Sequence, residues 1–420
     1  MGVRERSRWL IGPAVLVGIA CLVAISSPVR SWIAALGIAG NQTDEEIRQV
    51  CLDPLLGSGP LPLPHLAVNA HRIEVGDDVQ QALDQVGEHG TVVLASGEHK
   101  GQSTRPLTGQ TILGEPGAVM NGIGVPYAFR SSARNVTIQG LVIRGFQPDE
   151  KSGAVHGEEG AQAWVIRGNE IKENGEIGIV AKADWIVSDN RIHHNGRYGL
   201  TGSGRGLQVQ GNEIACNALK LGSTSESAAT KFVHTVNLVL RENYVHDNLG
   251  NGLWVDINNL DAEIRSNRVE GNALAGVFIE ISCGGLIVDN EVTGNGFGTK
   301  RPDGMNNAGI FVANSPGVQI MDNRVLDNAK GIGGLHWPHG NRDAVDRCVP
   351  ELRDLKVIGN VIRQHAGLVA GIDATVDRAD VWANWGNGFL ENDYDLSASS
   401  RFKWEGDEID LGSWRALGLD

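Results

Sequence analysis

Asp256 and Glu280 stand 24 residues apart, at the same place in two copies of one pattern, NYVHDNLGNGLWVDI and NRVEGNALAGVFIEI. A carboxylate copied onto successive turns of a coil would set two acids side by side, with bases about 4.8 Å apart if the turns are strands. Two carboxyl groups at that spacing divide into acid and base, because the charge on one raises the pKa of the other. Strand alternation would turn Leu253, Val255 and Ile257 inward and Trp254 and Asp256 outward. The next copy would turn Val277, Ile279 and Ile281 inward and Phe278 and Glu280 outward. Outward Trp254 and Phe278 would offer a platform for a sugar ring beside the acids. Lys231, in TKFVHT, aligns with Trp254 on the preceding turn, and His234 and His246 are further candidates for substrate contact. Lys182 takes the register of Asp256 if Gly178 is matched to Gly252. A charged pair in register is also what an ordinary solvated face shows, so the surrounding elements must decide.

Those elements form a repeat. Asparagine pairs five apart occur at Asn169/Asn174, Asn190/Asn195, Asn212/Asn217, Asn243/Asn248, Asn267/Asn272, Asn290/Asn295 and Asn323/Asn328, each with Ile or Val two places after the first member. Intervals between first members are 21, 22, 31, 24, 23 and 33 residues. Apolar residues are mainly Val and Ile alternating with polar ones, and the leucine-rich LxxLxLxxN spacing is missing, so strands dominate. The period predicts an all-β, parallel β-helix with an asparagine at a corner, where it tolerates left-handed backbone and can bond along the stack. The two enlarged intervals insert NALKLGSTSESAAT before Lys231 and GFGTKRPDGMNN before Gly309. Both leave the same corner, on the turns flanking those of Asp256 and Glu280, and would wall a cleft over them. His193 and His194 precede a corner asparagine and read as structural, while His336 and His339 sit in a third insertion leaving another edge.

The remaining features bound the class. There are 56 glycines in 420 residues, well above the usual ~7%, and they recur between strand-like runs as corners would require. A formal charge of −14 argues against nucleic acid or an anionic membrane surface as partner, and admits an anionic ligand only at a local basic patch. Residues 1–26 carry Arg4, Arg6 and Arg8 before an apolar run, Trp9 to Ile25, and read as a signal peptide or membrane anchor that places the rest outside the cytoplasm. Residues 27–70 read as a Pro-rich linker, 71–395 as the β-helix and 396–420 as a closing segment. DDVQQALDQVGE, Asp77 to Glu88, reads as a short amphipathic helix covering the first edge of the coil. Of five cysteines none has metal spacing; Cys21 lies in the apolar run, and the other four read mostly as buried apolar residues, with one disulfide open to them.

With these repeats, the DDVQQALDQV…GTVVLASGEH entry and the C-terminal NDYDLSASSRFKWEGDEIDLGSWRALGLD, the chain from about residue 70 onward resembles the single-stranded right-handed parallel β-helix proteins of the pectin-lyase-like superfamily. Some relatives are similar in placing a lysine before a GLWxD strand and an ExS strand, here Lys231, Gly252 to Asp256 and Glu280 to Ser282. The NTD…DD…GHG…RIK series of polygalacturonases and the DPHD of mannuronan epimerases are missing, which disfavours those two activities. The resemblance implies an exported enzyme that cleaves or rearranges glycosidic bonds of a polysaccharide, with Asp256 and Glu280 as acid and base or nucleophile and Lys231 beside them. It also admits a polysaccharide lyase with Lys231 as base and Ca²⁺ on Asp256 and Glu280, and a non-catalytic carbohydrate-binding or adhesin scaffold.

Overall fold

The computed structural model describes residues 44–52, 61, 70–298, 304–337, 346–375 and 380–420. The signal or anchor segment, most of the linker and His339 lie outside them. Among the described residues no helix is long and apolar enough to cross a membrane.

Short strands wind into a coil with three long sheets. Each strand bonds in parallel to its equivalent one turn later, as in Val165↔Ile186↔Gln208 on the first sheet and Leu253↔Val277↔Ile310 on the third. Inward residues stack as rows: Ile166, Val187, Val209, Leu240, Ile264 and Ile287 follow one another on the first sheet, each fully buried. Each such side chain contributes about 1.5–3 kcal/mol by leaving water.

The asparagines hold the corners from inside. One ladder runs Asn169, Asn190, Asn212, Asn243, Asn267 and Asn290, each Nδ2 donating to the next Oδ1 at 2.9–3.1 Å. A second, from Asn174 through Asn195, Asn217, Asn248 and Asn272 to Asn295, is bonded in the same way at 2.8–3.1 Å. The left-handed residue of each corner is not the asparagine but the one before it, as at Asp189, His194, Cys216, Glu242 and Asp247. The expected bonding along the stack is present, while the expected left-handed asparagine is corrected: the ladder asparagine makes buried side-chain bonds, and its neighbour absorbs the strain of about 1–2 kcal/mol.

At the first edge the helix Val79–Val86 is capped by Asp78, whose side chain accepts from the Gln81 N–H at 3.0 Å. Its Val79, Ala82 and Leu83 join the coil's core, and Gln110 donates to the Leu83 and Gly87 carbonyls at 2.8 and 2.9 Å. At the other end Arg401–Trp404 turns back on Asp407–Ile409, and the helix Leu411–Ala416 buries Trp414 against Phe389 and Phe402.

The cysteines depart from expectation. Cys51 pairs with Cys216 across 165 residues, and Cys283 with Cys348 across 65. Two disulfides replace the one allowed from sequence.

Candidate functional site

The strands Ala228–Val236, Asn251–Asp256 and Val277–Glu280 lie side by side on the third sheet. Their register brings Lys231 opposite Trp254, Trp254 opposite Phe278 and Asp256 opposite Glu280. Glycine makes the close corner before them: a Cβ on Gly252 would come within 2.5 Å of the Gly276 carbonyl, and one on Gly276 within 2.7 Å of Val292. The expected juxtaposition of the two acids and the lysine is therefore present.

Lys231 is the electrostatic centre. Its ammonium lies 3.1 Å from Asp256 Oδ2, 3.0 Å from Glu226 Oε2 and 3.7 Å from the centre of the Trp254 ring. Burial lowers its pKa, but the charges of Asp256, Tyr198 and Glu226 outweigh burial and leave it raised. Trp254 Nε1–H donates to Glu280 Oε2 at 3.1 Å. Asp256 has Oδ2 on Lys231 and a buried Oδ1 with no hydrogen-bond partner among the described residues.

Burial raises both acids, yet their partners differ. At Asp256 the rise is opposed by Lys231 at bonding distance. At Glu280 burial and the negative charge of Asp256 push the pKa up to about 8. A raised Glu280 beside an Asp256 held by an ammonium favours the proton on Glu280, the split known from paired-acid sites. Since Glu280 Oε2 accepts from Trp254, Oε1 is the oxygen left to carry a proton when the acid is protonated.

The aromatic pair needs correction. Trp254 and Phe278 do point away from the core of the coil, but they are only 3% and 8% exposed. They stack on each other at 5.7 Å, and Phe278 stacks on Phe311 at 4.8 Å. The second insertion supplies Met305 and Ala308, which pack in the same cluster. The row ends at Gly333, opposite Phe311, because a Cβ there would strike Met305 at 2.8 Å. Instead of an open sugar platform, the aromatics form the packed wall that carries the indole N–H to Glu280.

The histidines separate. His246 lies on the second sheet, 3% exposed, between Glu213 at 3.2 Å and Asp247 at 2.9 Å, away from Asp256 and Glu280. Its expected substrate contact is replaced by a structural one. His234 is exposed at the far corner of the third sheet, 3.4 Å from Asn258 Nδ2. There the third insertion returns: Arg347 donates to the Thr235 and Asn258 carbonyls, Asp346 accepts from Asn258, and Cys348 closes on Cys283. His336 packs edge-on against Trp385 at 4.9 Å.

Two members of the site were missed from sequence. Glu226 comes from the first insertion, where it is the lone carboxylate of NALKLGSTSESAAT, five residues before Lys231. Tyr198, 6% exposed, packs in the Trp254 cluster and belongs to a plain turn with no distinguishing spacing. Among the described residues no group of three or more His, Cys, Asp and Glu side chains could hold a metal ion. Where Ca²⁺ would meet Asp256, Lys231 already supplies the positive charge, so the residues present do not fit that cation.

Residues 153–325, which include every residue of the site, match the family model described as right handed beta helix region. No curated protein sequence matches the chain. Among solved structures it is similar to the A-modules of two mannuronan C-5 epimerases of Azotobacter vinelandii. The AlgE4 module aligns at TM-score 0.59 and 18% identity over 79% of this chain and 95% of that one. The AlgE6 module aligns at 0.59 and 19% over 79% and 93%. At that identity the likeness is one of fold. With its three parallel sheets and asparagine-lined corners, the chain has the fold of a right-handed parallel β-helix.

Proposed function

We propose that this protein is a carbohydrate-active enzyme that breaks or rearranges glycosidic bonds of a polysaccharide, with Glu280 as proton donor and Asp256 as base or nucleophile. One observation supports the reading: Asp256 and Glu280 are register partners, and their surroundings favour the proton on Glu280 and the charge on Asp256. Glycoside chemistry needs that division, one carboxylic acid to protonate the leaving oxygen and one carboxylate to serve the sugar carbon or its attacking water. Glu280 donates from Oε1, and the partnerless Oδ1 of Asp256 is the acceptor. Lys231 fixes Asp256 and opposes the rise that burial gives its pKa. A lyase in which Lys231 removes a proton is disfavoured, because two carboxylates hold its ammonium charged. Two disulfides support action outside the reducing cytoplasm, in line with the reading of residues 1–26 as a signal peptide or anchor.

The test is a survey of polysaccharides with product analysis. The expected products are saturated saccharides, lost in Glu280→Gln and Asp256→Asn. Unsaturated products would transfer the site to lyase chemistry. Binding with no turnover on any polysaccharide would make the protein a carbohydrate-holding scaffold.

A further inference from the structure

Away from the carboxylates, the outer face of the third sheet carries a second group of polar side chains. Arg130, His156, Val180 and Thr201 lead in register to Lys231. Lys182 follows Ala181 in the neighbouring row, Ser203 follows Gly202, Val233 follows Phe232 and Asp256 follows Val255, and these predecessors pair in turn. Lys182 thus precedes Asp256 by three strands, roughly 14 Å at about 4.8 Å per strand. Ser203 and Val233, both short and half-buried, lie between them. Toward the C-terminus the face is shut by Met305, and Ala313 and Leu335, which follow Glu280 in register, are buried. The run left partly open leads from Glu280 back toward Lys182.

At its end donors outnumber acceptors. Arg105 and Arg130 both turn to Glu158, at 3.2 and 2.9 Å. Lys182 is half-buried and, among the described residues, has no salt-bridge partner. His156 Nδ1 accepts from the Gly153 N–H at 3.1 Å, so its proton is on Nε2, a donor. Burial, with the charges of Arg130 and Lys182 close by, keeps this ring neutral, its pKa down to about 4. Three cations and a neutral N–H donor share the region with one carboxylate.

The geometry points to an anion-binding subsite at Arg130, His156 and Lys182 that takes a carboxylate, sulfate or phosphate group of the substrate, beginning three strands from Asp256 at Lys182 and reaching five at Arg130. It rests on the proposed function and specifies its substrate as an acidic polysaccharide. A net charge of −14 does not oppose this, since a local cluster sets the field that a bound group meets.

The experiment uses the full chain carrying Glu280→Gln, so that bound polymer is not consumed. Retention is measured on immobilised polygalacturonate, alginate, a sulfated glycan and a phosphate-bearing glycan, with neutral dextran and xylan alongside. The expected result is retention on at least one acidic polymer, weakened by salt, at least fivefold weaker in Lys182→Ala, weaker still in Lys182→Glu and restored in Lys182→Arg, with unchanged melting temperatures. Retention on neutral polymers alone, acidic retention indifferent to Lys182, or no retention on any acidic polymer would each overturn the subsite. Turnover is scored separately in the chain with Glu280 intact. Acidic retention through Lys182 without turnover would sink the enzyme reading and leave the subsite standing.

Discussion

A carboxylic acid with a pKa of about 8 is mostly protonated at neutral pH, which suits Glu280 to the proposed role of proton donor where an ordinary glutamate would be a base. On an active polysaccharide, Glu280→Gln lowers kcat by about 100-fold or more, the usual worth of a positioned general acid. The alkaline limb of kcat/KM near pH 8 disappears with it; a limb that persists in the variant belongs to another group. The same group links pH to stability. Its folded pKa lies above the ordinary 4.5, so the folded state keeps a proton that the unfolded state releases. Its contribution is full below pH 4.5 and falls as pH rises to about 8, by at most about 1.4 kcal/mol per pH unit. His246 is raised to about 9, because Asp247 and Glu213 outweigh its burial, and loses stability in the same sense from pH 6.5 to about 9. Denaturant midpoints at pH 5, 6.5 and 8 should therefore decline in the native chain and decline less in Glu280→Gln. Asp256 and Glu280 were legible in the sequence because copying at a fixed period encodes register directly. The burial of Trp254 and Phe278 was not, since it depends on how Met305 and Ala308 fold over them. Glu226 was hidden for a similar reason: it sits in an insertion that belongs to no repeat.

At the scale of elements, the asparagine ladders fix the turns that the strands share. Asn248 accepts from Asn217, donates to Asn272 at 2.8 Å and donates to the Ile214 carbonyl at 3.0 Å. Asn248→Ala would leave buried groups on both neighbouring turns unpaired, at about 1–3 kcal/mol each. Chemical denaturation should show a loss of several kcal/mol; a loss under about 0.5 kcal/mol would mean the ladder is ornamental. Gly252→Ala tests the close corner, where forcing a methyl against the Gly276 carbonyl costs typically 1–3 kcal/mol and would shift Asp256 off register. The period and the ladder were readable from asparagine spacing, because a side chain that must bond to its own copy leaves a strict repeat. Which residue of the corner is left-handed was not readable, since the strained position accepts Asp, Glu, His, Ser, Cys or Gly and so leaves no consistent letter.

Across the whole molecule, two disulfides clasp the two ends of the third-sheet strands. Cys51–Cys216 holds the helix Asp44–Val50 at the corner before the site, with Arg48 donating to the Leu219 carbonyl at the root of the insertion that carries Glu226. Cys283–Cys348 holds the third insertion at the corner after it, three residues beyond Glu280. Cys51→Ser/Cys216→Ser should cost about 2–5 kcal/mol and release residues 44–52 to limited proteolysis, read by mass spectrometry. An unchanged cleavage pattern would show that packing of Ile47 and the bonds from Arg48 to Leu219 and from His194 to the Cys51 carbonyl retain the segment without the disulfide. These pairings were beyond sequence reading, because partners 165 and 65 residues apart are joined only by the winding of the coil.

Titration of the Glu280 side-chain carboxyl by ¹³C NMR in the full chain tests the account most directly. The account predicts a midpoint near 8 that falls in Asp256→Asn, where the neighbouring negative charge is gone, and rises in Lys231→Met, where the opposing cation is gone. A midpoint near the ordinary 4.5, unmoved by either substitution, would contradict it.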